Sequence, residues 1–222
     1  ALPGISINKP SGTLFLQDTL ILDTTSDWTY LVGIVDAGSS TVIFDGGSNT
    51  IDDSVTRFNN VTFNTPGDIT ITGTLDVNGT LDIDSANIIN SGLITVAGNL
   101  ITTDSIVPGS TAITLDGSGL QTIDASGGGD FPNSVITINK PIGSTAQLIS
   151  DVILNGSSQD FTITSGSLDL NGNNLTVPDI LTVDGSGTLQ LEGGETVSFN
   201  SQTINAGGRG HRPKPNRDGR YL

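Results

Sequence analysis

Hydrophobic and polar residues alternate along most of the chain. Between residues 69 and 83 apolar side chains occupy only odd positions, and threonine, aspartate and asparagine fill the even ones. The apolar set is Ile69, Ile71, Leu75, Val77, Leu81 and Ile83. Because successive side chains of a strand point to opposite faces, this pattern predicts strands with one buried face and one solvated face. No stretch keeps the helical spacing of apolar residues for more than about two turns, so we expect an all-β protein.

Small and polar residues separate the short apolar runs. The chain has 29 glycines, and glycine, asparagine and aspartate tolerate the positive φ values of tight turns. Asn78-Gly79 lies inside the alternating run without changing its phase. A hairpin turn at this dipeptide is one interpretation. A corner, where the chain bends and continues in the same direction, is equally consistent with the pattern.

Two sequence elements recur three times each, in alternation. The first element, which contains Ile-Ser-Ile-Asn-Lys-Pro in its first copy, occupies residues 4–10, 60–66 and 134–141. The second element occupies residues 41–52, 111–124 and 188–205. The copies keep their order, but the distances between them differ. This arrangement predicts loops of variable length on a common scaffold.

Alternating strands, small-residue corners and repeated blocks predict a parallel β-solenoid over residues 1–208. At roughly 20–25 residues per turn, this length gives about nine turns. One or two antiparallel β-sandwich domains are the alternative, because they also use short strands at regular spacing. The scarcity of aromatic residues and the near-continuous Ile, Leu and Val ladders favour the solenoid.

The repeated blocks resemble the repeat regions of bacterial extracellular and surface proteins of the filamentous-haemagglutinin and autotransporter-adhesin type. The resemblance is carried by residues 4–10, 41–52, 58–83, 111–124, 134–141 and 166–205. It implies a right-handed β-helix on a cell surface or in an extracellular fibre. It implies no catalytic residues.

The charge distribution argues against two classes of partner. The net charge is −15, yet the last fourteen residues are basic and leave residues 1–208 at −19. Such a body should repel nucleic acid and anionic membranes.

No apolar run approaches the ~18 residues of a membrane span. The absence of cysteine excludes a disulfide framework and thiol chemistry. The chain starts at Ala1, as after removal of a signal peptide, so we expect a secreted, extracellular or cell-surface protein.

Catalytic chemistry has little support in the sequence. Residues 1–208 contain only three cations, Lys9, Arg57 and Lys140, and the single histidine, His211, lies in the tail. Polysaccharide lyases and hydrolases use clustered aspartates, often with a basic residue or Ca²⁺. With so few cations to stabilise developing charge, we expect the protein not to be an enzyme.

Calcium is the one candidate cofactor. Asp45, Asp116 and Asp184 each precede a glycine at a turn, where carboxylate and carbonyl oxygens could bind Ca²⁺. Asp-Gly is also the ordinary residue choice for a turn, so these three residues are weak candidates. We expect no other metal or cofactor.

The two ends of the chain predict self-assembly. The second element ends at residue 205, and residues 1–10 resume the cycle at the point where it would continue. We therefore expect head-to-tail stacking through Ile5, Ile7, Lys9 and Ile204. Residues 209–222, a basic segment with two prolines, should lie outside the coil as an extended arm on an acidic neighbour. The contacts expected from this arm are those of Arg209, Arg212, Lys214, Arg217, Arg220, Tyr221 and Leu222.

The sequence therefore predicts a structural subunit of an extracellular filament or surface layer whose partner is another copy of itself. An adhesin segment that binds a glycan or a host cell surface is the alternative. A polysaccharide-active enzyme is the third and weakest hypothesis.

Overall fold

The structure, a computed structural model, describes residues 4–23, 26–104, 108–126, 129–205 and 209–210. All regular structure in these residues is β, and none of them forms a helix that could cross a membrane. The strands are β1 (Ile5–Phe15), β2 (Thr19–Leu22), β3 (Trp28–Asp36), β4 (Thr41–Asp45), β5 (Asn49–Asp53), β6 (Arg57–Phe58), β7 (Asn60–Asn64), β8 (Asp68–Val77), β9 (Leu81–Ser85), β10 (Ile88–Asn90), β11 (Leu93–Val96), β12 (Leu100–Thr102), β13 (Ala112–Leu115), β14 (Gln121–Asp124), β15 (Ile136–Asn139), β16 (Thr145–Leu148), β17 (Val152–Ile153), β18 (Phe161–Asp169), β19 (Leu175–Gln190), β20 (Val197–Ile204) and β21 (Arg209–Gly210).

Every strand pairing in the described part of the chain is parallel. Paired residues lie between 19 positions apart, as for Thr74 and Leu93, and 26 positions apart, as for Asn139 and Ser165. The chain therefore winds into a coil of about nine turns. The predicted parallel β-solenoid is confirmed, and the antiparallel sandwich is wrong because no strand folds back onto its predecessor. The right-handed sense of the coil stays a prediction.

Each turn of the coil contributes a strand segment to each of three parallel ladders. We call these ladders faces A, B and C, in the order in which the chain passes through them. Face A contains β1, β3, β5, the first half of β8 and β10, and is continued by β17 and the starts of β19 and β20. Face B contains β6, the second half of β8, β11, β13, β15, the start of β18, the middle of β19 and the end of β20. Face C contains β2, β4, β7, β9, β12, β14, β16, the ends of β18 and β19, and β21.

The Asn78-Gly79 dipeptide forms a corner between faces B and C. Its two backbone N–H groups donate to the carbonyl oxygens of Phe58 and Asn59 one turn earlier, at 2.8 and 2.7 Å. A Cβ atom on Gly98, one turn later, would overlap the carbonyl oxygen of Gly79. The corner interpretation is therefore confirmed, and glycine is needed here because corners of successive turns stack in direct contact.

The six apolar residues of the alternating run point into the coil, where they are fully buried. Trp28, Ile51 and Ile71 lie in one such column on face A. The indole Nε1 of Trp28 donates to Asp53 Oδ2 at 2.7 Å, and Asp53 Oδ1 accepts from the N–H groups of Val55 and Thr56. This buried carboxylate fixes the corner that follows β5, because its lone pairs are satisfied by three donors.

The sequence repeat and the structural repeat are different units. The three copies of the first element lie on three faces: residues 4–10 on face A, 60–66 on face C and 134–141 on face B. A copy encodes a strand followed by a corner, and every face of the coil accepts that unit. The structural repeat is one turn.

The ladder of face C extends into the segment that we expected outside the coil. The backbone of Arg209 and Gly210 pairs with Thr188 and Leu189 of β19 as strand β21. The domain boundary that we expected at residue 209 stays a prediction, although this ladder reaches Gly210, since backbone hydrogen bonds alone can extend it whatever the side chains are. The remaining arm residues, 211–222, lie outside the described residues.

Replacing a core residue of the middle turns should destabilise the coil strongly. We expect Ile71→Ala to lower the free energy of unfolding by about 2–5 kcal/mol, because the buried column on face A loses three carbon atoms and gains a cavity. Thr72→Ala, on the exposed side of the same strand, should change it by less than about 0.5 kcal/mol. Urea unfolding followed by the fluorescence of Trp28, the single tryptophan, measures both. Equal effects of the two substitutions would contradict the assigned faces.

Candidate functional site

A surface groove lies beside the first turns of the coil. It consists of two adjoining depressions of about 440 and 350 Å³ that share Phe15, Asp36 and Gly38. The larger depression is also lined by side chains from four successive turns, including Thr13, Ile34, Arg57, Asn59 and Asn78. We call this feature the Phe15 groove.

The Phe15 groove lies where the turn length changes. In the first two turns, residues paired on face A are 23 positions apart, as for Ile5 and Trp28. In the following turns the separation falls to 20 positions on face A and to 19 on face B. The longer turns carry β1 and β3 across the corner between faces A and B. The groove lies beside this change, because its lining residues come from both the longer and the shorter turns.

Strand alternation exposes the aromatic ring of Phe15. Leu14 and Leu16 pack toward the core, so Phe15 between them points outward and is 64% exposed. Ile34, the outward residue opposite Thr13 in the next turn, is 62% exposed. Burying either side chain would stabilise the fold by about 1.5–3 kcal/mol, so their exposure has no benefit for the isolated coil.

Hydrogen bonds and one ion pair hold the polar side chains around the Phe15 groove. Arg57 Nε lies 3.3 Å from Asp76 Oδ2. Asp36 Oδ1 accepts from the Gly38 N–H at 3.0 Å, and Asn59 Nδ2 donates to the Ser40 carbonyl at 3.1 Å. These bonds orient a carboxylate, an amide and a guanidinium toward one open surface.

Lys140 occupies a buried corner on a different part of the coil. It is only 1% exposed, although Lys9, in the same Asn-Lys-Pro context of another copy, is exposed. Its ammonium group donates to the carbonyl oxygen of Gly117 at 2.6 Å and to Gln121 Oε1. Gln121 Nε2 in turn donates to the carbonyl oxygens of Val96 and Gly98. The lysine and the glutamine thus satisfy the carbonyl groups of two successive corners.

Burial has a direct electrostatic consequence for this corner. Desolvation lowers the pKa of Lys140 to about 8, and the negative charge of Asp116 opposes this shift. Burial raises the pKa of Asp116, and the charge of Asp76 raises it further. Lys140 contacts only protein groups and is closed to solvent, so it acts within the fold and has no access to a substrate.

The three calcium candidates lie on different turns. Asp45 ends β4 on face C, whereas Asp116 and Asp184 follow segments of face B that are three ladder steps apart. Within the described ranges no three His, Cys, Asp or Glu side chains are grouped closely enough to hold a metal ion. The structure therefore does not bring the three aspartates together, and calcium binding at any one of them stays a prediction.

The predicted assembly residues lie at the two ends of the coil. Ile5, Ile7 and Lys9 belong to β1, which pairs only with β3 among the described strands. Ile204 belongs to β20, which pairs only with β19 among them. Arg209 is in β21, where only its backbone is described. The other predicted contacts lie outside the described residues: Arg212, Lys214, Arg217, Arg220, Tyr221 and Leu222.

Comparison with known proteins finds no matching family model, no similar curated protein and no similar solved structure. The type of surface protein that the repeats resemble therefore stays a hypothesis.

Sequence reasoning missed the Phe15 groove and the buried Lys140. Phe15 carries a usable signal, because it is apolar and out of phase with Leu14 and Leu16. Asp36, Asn59 and Asn78 give no such signal, since their proximity depends on the pairing register.

The buried lysine should make stability depend on alkaline pH. The lysine pKa is about 8 in the folded state and 10.5 in the unfolded state, so between these values the unfolded chain binds more protons. The free energy of unfolding should therefore rise between pH 8 and pH 10.5, by about 1–3 kcal/mol. Lys140→Met should lack this rise, and Lys9→Met, the exposed counterpart, should retain it. Urea titrations across this pH range measure the effect. An equal rise in Lys140→Met would show that other groups cause it.

Proposed function

We propose that the chain is a structural rod module of an extracellular filament or surface layer, in which coils of successive copies stack end to end. One observation carries this proposal: the core columns continue to the last described turn, where no other strand of the described residues covers them.

The end of the coil at β20 has the character of an interior surface. Phe199 continues the column of the buried Val177, and Ile204 continues that of the buried Val183. Yet Phe199 is 39% exposed and Ile204 is 51% exposed. Among the described strands β20 pairs only with β19, and its other backbone edge together with these side chains favours the addition of another parallel strand.

The order of the faces supports stacking between copies. The final described segments are 197–199 on face A, 201–204 on face B and 209–210 on face C. The next segment in this order belongs on face A, which is where β1 lies at the other end of the coil. A second copy would therefore place Ile5 and Ile7 over Val197 and Phe199. Such a contact is heterologous and repeats without closing.

Charge and resemblance support the same role. The body, residues 1–208, carries a charge of −19, and the basic residues after it complement an acidic neighbouring copy. Secretion and surface display, as in proteins of the filamentous-haemagglutinin or autotransporter-adhesin type, are part of this proposal.

Lysines at the exposed core columns should prevent stacking. We expect the purified chain to associate with increasing concentration and the double variant Phe199→Lys/Ile204→Lys to remain monomeric, because a second turn would bury two unpaired charges. Ser201→Lys/Thr203→Lys, which adds the same charges on the outward side of β20, should still associate. Sedimentation velocity and negative-stain microscopy measure the result. If the original chain and both double variants all associated alike, or if none of them did, the proposed contact would be wrong.

Removing residues 211–222 tests the arm separately, because strand β21 is left intact. We expect shorter assemblies that no longer respond to salt. Unchanged filaments with unchanged salt sensitivity would show that the arm plays no part.

An adhesin role is the second candidate function. The Phe15 groove favours it, since an exposed aromatic ring and fixed polar groups beside it are unnecessary for a purely structural rod.

A further inference from the structure

We propose that the Phe15 groove binds a neutral oligosaccharide through the aromatic ring of Phe15 and the polar side chains of Asp36, Asn59 and Asn78. This inference does not rest on end-to-end stacking. The groove includes Thr13 and Phe15 of β1, the strand expected at that contact, but the Phe15 side chain points outward, and the groove shares no residue with β20.

The ring of Phe15 supplies the apolar contact. One side of a pyranose ring presents C–H groups with partial positive charge, and the negative face of an aromatic ring attracts them. Phe15 is exposed, and the pairing of β1 with β3 holds its backbone, so the point from which the ring projects is fixed before a ligand arrives. Ile34 extends the apolar surface beside it.

The polar groups match the needs of sugar hydroxyls. A hydroxyl both donates and accepts, so its natural partners are carboxylates, which accept, and amides, which do both. Asp36 lines both depressions, and the amides of Asn59 and Asn78 line the larger one. The Gly38 N–H fixes Asp36, and the Ser40 carbonyl fixes Asn59, so little side-chain entropy remains to be lost on binding.

Charge points to a neutral ligand. Arg57, the only cation among the described residues that line the groove, is already paired with Asp76. Asp36 and Asp18 add negative charge that would repel a uronic acid, a sulfated sugar or a nucleic acid. A neutral sugar is not repelled by these carboxylates.

The shape of the Phe15 groove favours an extended oligosaccharide as the ligand. The groove crosses the first four turns, which at about 4.8 Å per turn corresponds to about 14 Å along the coil. Its two depressions share Phe15 and are open to solvent. An internal segment of an oligosaccharide fits this arrangement better than a single terminal sugar does.

The experiment begins with an array of neutral and acidic oligosaccharides, including cello-, xylo-, manno- and malto-tetraoses and oligogalacturonates. Isothermal titration calorimetry then measures the neutral oligosaccharide that binds most strongly. We expect Phe15→Ala to weaken its binding by about tenfold or more, and Asp36→Asn or Asn78→Ala by several-fold. Leu120→Ala and Ile142→Ala, exposed apolar residues of other turns, serve as matched controls and should bind as the original chain does.

Three outcomes would overturn the proposal: no binding of any neutral oligosaccharide, a preference for acidic ones, or binding that Phe15→Ala leaves unchanged. If Phe15→Ala instead abolished self-association, the groove would be an interface between copies. The two proposals can be distinguished by their variants. Phe199→Lys/Ile204→Lys should bind the oligosaccharide normally, and Phe15→Ala should stack normally.

Discussion

Backbone hydrogen bonding between successive turns is the constraint on which the rest of the structure depends. Each strand has its partner one turn away in the coil, so its N–H and C=O groups are satisfied only if the neighbouring turn keeps the same path. Three features follow from this: inward columns of aliphatic residues, glycines where corners touch, and polar side chains that serve the corner carbonyls. Trp28 with Asp53 and Lys140 with Gln121 are two solutions to the last requirement.

The turns of the coil differ from one another in their length. A turn of 19 residues has few residues outside its paired strands, whereas a longer turn has more. The Phe15 groove lies beside the first two turns, in which residues paired on face A are 23 positions apart. Around Lys140 the paired residues are 25 or 26 positions apart, and its side chain reaches back to Gly117 and Gln121 of the preceding turn. The candidate binding surface and the buried lysine therefore both lie where the turns are longer than 19 residues.

The alternating pattern was sufficient to predict the strand content, the inward residues and the stacked coil. It was sufficient because burial in this fold follows the period of two, and corners such as Asn78-Gly79 preserve the phase. The environments of Lys9 and Lys140 could not be predicted, since both occur in Asn-Lys-Pro and only the neighbouring turns distinguish them. The groove was equally inaccessible, because Asp36, Asn59 and Asn78 come together through register. The first two residues of the basic arm show a third limit: a backbone ladder can continue through a sequence with no strand pattern.

The most direct test of the stacked coil is a set of distances along face B, where Asp76 belongs to a register column that continues through Thr162, Thr182 and Thr203. The chain contains no cysteine, so spin labels can be placed at residue 76 and at one of the three threonines through introduced cysteines. Four, five and six ladder steps predict backbone separations of about 19, 24 and 29 Å by electron–electron double resonance. Distances that rise by about 4.8 Å per step support the account, and distances that fail to rise along this series would contradict it.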